Sequence, residues 1–134
     1  MLPVTVDNVR LSLHILGATI WVGGQLIFSA LVPLLRRLGN DVLRPVARQL
    51  TRILWAGFAV LIVTGVWNVV AVGLSDQTSA WKTTLNVKLV VVALSGIAAY
   101  VHTRVAGARS RAAWGATSGI TALAALLLGV MLAG

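Results

Sequence analysis

No cysteine occurs anywhere in the chain, which excludes a disulfide, a thiolate metal centre and a cysteine nucleophile. Thioethers are nearly as scarce, at Met1 and Met131 only. Charge is also sparse: charged residues make up 10% of the sequence and hydrophobic ones 58%, a balance outside that of water-soluble globular domains. The 134 residues suit a single domain. No internal repeat or low-complexity segment stands out. The stretches between apolar segments are too short for a soluble catalytic domain, so any chemistry belongs inside a helical bundle.

Four apolar segments remain when the sequence is cut at its charges, at about 11–35, 53–75, 83–103 and 112–133. Each is near the roughly 20 residues a helix needs to cross the hydrocarbon core. The expected fold is an all-α integral membrane protein, an antiparallel bundle of four transmembrane helices. Lys88 interrupts the third segment, and Pro33 in the first is tolerated as in other membrane helices. Asp7 and the absence of a basic cluster precede the first segment, which is too long for a signal-peptide core, so it is expected to stay in the mature protein.

The formal charge of +8 reads as a topology signal, because the basic residues punctuate apolar runs instead of gathering on a face for nucleic acid. Arg36, Arg37, Arg44, Arg48 and Arg52 fall between the first two segments, and Arg104, Arg109 and Arg111 between the last two. Only Arg10 and Lys82 lie on the opposite side, offset by Asp7 and Asp76. Short loops rich in Lys and Arg stay cytoplasmic, so both termini are expected to face outward from a bacterial cytoplasmic membrane. Trp67 and Trp81 mark outer helix ends, and Trp55 and Trp114 inner ones, as interfacial rings do; Trp21 falls near mid-bilayer. Asp41 is expected to cap a cytoplasmic extension of the second helix, on which Arg44, Arg48 and Arg52 recur every fourth residue beside anionic lipid.

Ionisable residues inside a membrane are costly and mark candidate sites. Here they are His14, Lys88 and His102. Counting inward from Arg10 and Lys82, His14 lies about 6 Å and Lys88 about 9 Å inside the outer helix ends, and Asn68 on the second helix reaches the same layer. His14, Ala18, Trp21 and Gln25 form one helical stripe, and Gly57, Leu61, Thr64 and Asn68 another. Lys88, Val92, Ser95, Ala99 and His102 form a third, which separates Lys88 from His102 by about 21 Å along the axis. Two readings stand for each ionisable residue. His14 either bridges helices by a hydrogen bond or serves a site; Lys88 either snorkels to the headgroups or serves the same site. His102 either complements a helix C-terminus or binds a metal. Gly115 and Gly119 have the small-xxx-small spacing of close helix packing.

The run Leu13-His14 followed by Trp21, Gly23 and Gly24, then Pro33 and Arg36-Arg37, then Thr64-Gly65 with Trp67, then residues 85–89 around Lys88, resembles the copper-resistance-D (CopD) domain family and the related HemJ-type protoporphyrinogen oxidases. The likeness covers about the first three helices, as far as Tyr100 and His102. It implies a b-type haem and carries essential roles onto His14 and Lys88, the latter as the catalytic residue. Where HemJ-type chains have an Arg-containing motif ending in His, residues 25–31 contain no ionisable side chain.

The CopD likeness implies copper handling, for which His14 and His102 are the candidate metal ligands. Cu(I) favours thiolate and thioether donors, and a path lined by Met or Cys is not available here. Haem iron suits an imidazole in an apolar bundle. Asn68 and Trp21 are then expected around His14, with Arg10 and Lys88 meeting the propionates, or with Lys88 as sixth ligand or proton donor. A second haem at His102 would make a transmembrane electron conduit. The expected functions are therefore haem-b redox or tetrapyrrole chemistry, copper binding or transport, or an accessory subunit of a homo-oligomer or larger membrane complex.

Overall fold

The structure, a computed structural model, describes residues 1–134. Its elements are α1 (Val6–Ala18), a π-helical turn (Thr19–Gly23), α2 (Gly24–Leu38), α3 (Asn40–Val72), α4 (Ser79–Arg104) and α5 (Ala108–Ala133), with no strand. The first three run on as one helix, Val6–Leu38, so four helices are long and apolar enough to cross a membrane. This is an all-helical, multi-pass membrane protein.

The helices overrun the apolar segments at most ends because a helix need not stop where the hydrocarbon does; α3 instead stops at Val72, short of the expected 75, where Gly73 takes a φ of 73°. The first starts at a capping box: the Asn8 amide donates to Thr5 Oγ1 while the Thr5 amide donates to Asn8 Oδ1. Thr78 caps α4 in the same way, accepting from the Trp81 amide. Between α2 and α3 the chain turns on Gly39 alone, at φ 110°, a backbone region that favours glycine. Gly39 is therefore the cap residue of α3, without a side-chain bond. Asp41, expected to be the cap, lies inside the first turn instead, where its charge complements the helix N-terminus.

The chain forms two compact units, Met1–Gly73 and Leu74–Gly134. In the first unit, the helix Val6–Leu38 packs on α3. As residue numbers rise from 10 to 24 on one, their partners fall from 68 to 54 on the other. The backbones come close at Gly17, where an added Cβ would stand 2.8 Å from the Leu61 nitrogen and 2.9 Å from the Gly57 oxygen. In the second unit, α4 and α5 interlock at two buried serines. Ser95 Oγ donates to the Ser118 carbonyl and Ser118 Oγ to the Ser95 carbonyl, both at 3.0 Å.

The burial pattern is that of a protein in lipid. Polar Arg10, Thr64, Ser95 and Ser118 are buried, while Leu26, Ile27, Val63, Val90, Ile120 and Leu127 are exposed. Lipid tails are as apolar as leucine, so burying leucine gives helices no reason to associate; small residues and hydrogen bonds do that work.

Candidate functional site

Two polar rungs join α1 to α3 at the terminal end of the first unit. Arg10 and His14 are four residues apart on α1, and Asn68 and Thr64 four apart on α3, so one helical turn separates the rungs on both sides. Arg10 Nε donates to Asn68 Oδ1 at 2.7 Å, and Arg10 Nη1 pairs with Asp7 Oδ1 at 2.7 Å. This arginine is only 8% exposed, a burial that a guanidinium tolerates when paired and hydrogen-bonded. Nη2 remains for a further anion.

The second rung puts a proton on Nδ1 of His14. Its Nδ1 lies 3.0 Å from Thr64 Oγ1. Thr64 Oγ1 itself lies 2.6 Å from the Val60 carbonyl and 3.3 Å from that of Leu61. A hydroxyl has one proton, and carbonyls only accept, so the Thr64 proton goes to α3 and its oxygen accepts from His14 Nδ1–H. In the neutral ring the lone pair is then on Nε2. Metal-bound histidines have this arrangement, one nitrogen held by a fixed acceptor and the other left as the donor atom.

Trp21 lies deeper, on the π turn. It is 2% exposed and packs on Phe58 at 4.4 Å and Trp55 at 5.4 Å between ring centroids. The wider π turn aims it into α3. The structure therefore brings Arg10, Asn68 and His14 together in adjacent rungs and places Trp21 in an aromatic cluster about 10 Å further along the axis from His14.

Lys88 and His102 belong to the second unit. The protein's one ion pair joins Arg10 to Asp7, so Lys88 has no carboxylate partner; its amine lies over Gly129 on α5. His102 Nδ1 is 2.6 Å from the Arg111 carbonyl, which again requires a protonated Nδ1. It staples the end of α4 to the start of α5, and Arg111 Nη2 adds a bond to the Val105 carbonyl at 3.3 Å. No three His, Cys, Asp or Glu side chains are grouped as metal ligands.

Sequence reasoning missed two features. Thr64 belonged to a noted stripe but was not singled out; its position one turn below Asn68, matching His14 one turn below Arg10, was the available signal. That glycines seat the ionisable side chains was missed as well, although Gly115 had been noted for close packing. His14 lies against Gly65, His102 against Gly115 and Lys88 against Gly129, where an added Cβ would approach the side chains to 3.4, 3.0 and 3.0 Å respectively.

The two closer seats should respond differently to alanine. Alanine gains about 1 kcal/mol of helix propensity over glycine. At Gly129 the crowded atom is the mobile end of Lys88, so Gly129→Ala is expected to be neutral or slightly stabilising. At Gly115 it is a ring held by a hydrogen bond, whose loss (~1 kcal/mol) adds to an overpacking cost of about 1–3 kcal/mol. Thermal unfolding in detergent should therefore show Gly115→Ala below wild type and Gly129→Ala level with it or above.

Comparison with protein-family models, with curated proteins and with solved structures gives no match. The case for function therefore rests on the residues themselves.

Proposed function

We propose that the chain is a CopD/HemJ-like haem-b protein serving redox or tetrapyrrole chemistry, with His14 as axial ligand near the outer face. In this proposal it is an antiparallel four-helix bundle of the bacterial cytoplasmic membrane with both termini extracytoplasmic. The observation that supports the reading is the routing of the Thr64 proton to Val60, which makes His14 Nδ1 the donor and puts the lone pair of the neutral ring on Nε2, the nitrogen the proposal assigns to iron.

The donor set favours haem over copper. A haem brings four nitrogens of its own and asks one or two axial donors of the protein, whereas a copper site draws all its ligands from side chains, and no three His, Cys, Asp or Glu are grouped to supply them. Bound to His14, a b-type haem would supply one-electron exchange. The chain's own residues have definable tasks beside it. Thr64 orients the imidazole, Arg10 offers Nη2 to a carboxylate such as a propionate, and Asn68 holds the guanidinium in place. Lys88 belongs to the second unit; the resemblance makes it essential, and an amine with no carboxylate partner suits the role of proton donor.

The test is an absorption spectrum, oxidised and dithionite-reduced, of protein purified in mild detergent from haem-replete cells. A Soret band with a reduced α-band is expected, and a colourless preparation would overturn the proposal. Thr64→Val keeps the shape of the side chain and removes the acceptor. It is expected to weaken haem binding about 10–100-fold, the usual cost of losing such an orienting partner, as measured by haem titration of the apoprotein.

A further inference from the structure

We infer that the arginine-bearing end of the first unit is a docking surface for anionic phospholipid headgroups. The observations are independent of haem. Arg36 and Arg37 occupy the last turn of α2, and Arg44, Arg48 and Arg52 follow within the first four turns of α3, across the single-residue turn at Gly39. All five are exposed. At four-residue intervals Arg44, Arg48 and Arg52 spread over about 80° of the helix surface and rise by about 6 Å per step, which makes one continuous basic strip.

This strip is not neutralised from within. Between residues 36 and 52 the only carboxylate is Asp41, and the protein's one ion pair is elsewhere. Phosphate is the matching partner, because a guanidinium fork pairs bidentately with its oxygens.

Helix length places the strip at the headgroups. The 33 residues of α3 extend about 50 Å, against a hydrocarbon core of about 30 Å and about 40–45 Å with headgroups. With Val72 at one hydrocarbon boundary, the other falls near Ile53. Arg52 and Arg48 then stand at phosphate level and Arg44 just beyond it. Exposed Leu34, Leu38, Val46 and Ile53 flank the arginines. Such apolar neighbours suit acyl chains and offer nothing to a nucleic acid, whose backbone would meet only the charges.

The full-length protein in nanodiscs mixing phosphatidylglycerol with phosphatidylcholine provides the test, read by native mass spectrometry of the lipids retained after release. Each arginine near a charged headgroup is expected to favour the anionic lipid about fivefold. Wild type should therefore retain phosphatidylglycerol at least tenfold over phosphatidylcholine, and the preference should shrink as salt is raised, since exposed charges are screened. The R44Q/R48Q/R52Q variant should lose most of it. Equal retention of the two lipids by wild type, a preference indifferent to salt, an unchanged preference in the variant, or displacement of the lipid by an added DNA duplex would each overturn the inference.

Discussion

Replacing His14 by alanine is expected to give a protein that folds and purifies like wild type but carries no haem. The two effects separate because the Thr64 hydroxyl remains satisfied. Its proton is already committed to the Val60 carbonyl at 2.6 Å, so removing the imidazole costs it one incoming hydrogen bond, worth ~1 kcal/mol. His14 is half-buried, which keeps the loss of packing modest as well. In the proposed haem site, by contrast, ligation goes entirely with Nε2. Soret absorbance per mole of protein should fall to background, with thermal stability within about 2 kcal/mol of wild type. A His14→Ala protein with an unchanged Soret band would show that another residue ligates the iron. Exogenous imidazole, which can enter the vacated space, should restore part of the band.

The second large effect is structural and is expected at Gly17. A Cβ there would lie 2.8 Å from Leu61 N, 2.9 Å from Gly57 O and 3.1 Å from Leu61 Cα. All three are backbone atoms, so no rotamer change relieves the clash, and the helix Val6–Leu38 must move away from α3. Alanine gains about 1 kcal/mol in helix propensity and incurs an overpacking cost at the upper end of the usual 1–3 kcal/mol. A net loss of about 2 kcal/mol is expected for Gly17→Ala. Gly17→Leu should prevent the two helices from pairing, and with them the bonds Arg10–Asn68 and His14–Thr64. Gly23 provides the control. Nothing lies within 4 Å of its would-be Cβ, so Gly23→Ala should equal or exceed wild type. Thermal or SDS-induced unfolding of the three variants measures this; equal stability of Gly17→Ala and Gly23→Ala would mean that the close approach does not hold the unit together.

Much of the architecture could be read from local patterns. Bilayer thickness sets the length of a span, so four apolar segments separated by charges appear as four helices long enough to cross. The residues placed on one stripe of the first span, His14 and Trp21, do face α3, and Thr64 with Asn68 does face back, because a period of 3.6 residues is a property of each helix alone. Helix ends were less legible. Asp41 has the chemistry of a cap, yet the chain turns one residue earlier on Gly39, whose positive φ a sequence does not display.

Only the tertiary structure decided which side chain meets which. His14 and Thr64 are 50 residues apart and Arg10 and Asn68 are 58 apart. Their pairing depends on the register between two helices, and that register is set where Gly17 meets Gly57 and Leu61, through backbone atoms that have no side-chain signature. The same holds for the seats at Gly65, Gly115 and Gly129. A missing side chain is visible in a sequence, but what lies against it is a matter of relative height and rotation. Periodicity places a residue on a face; only packing supplies its partner, and at His14 the partner determines that Nδ1 carries a proton.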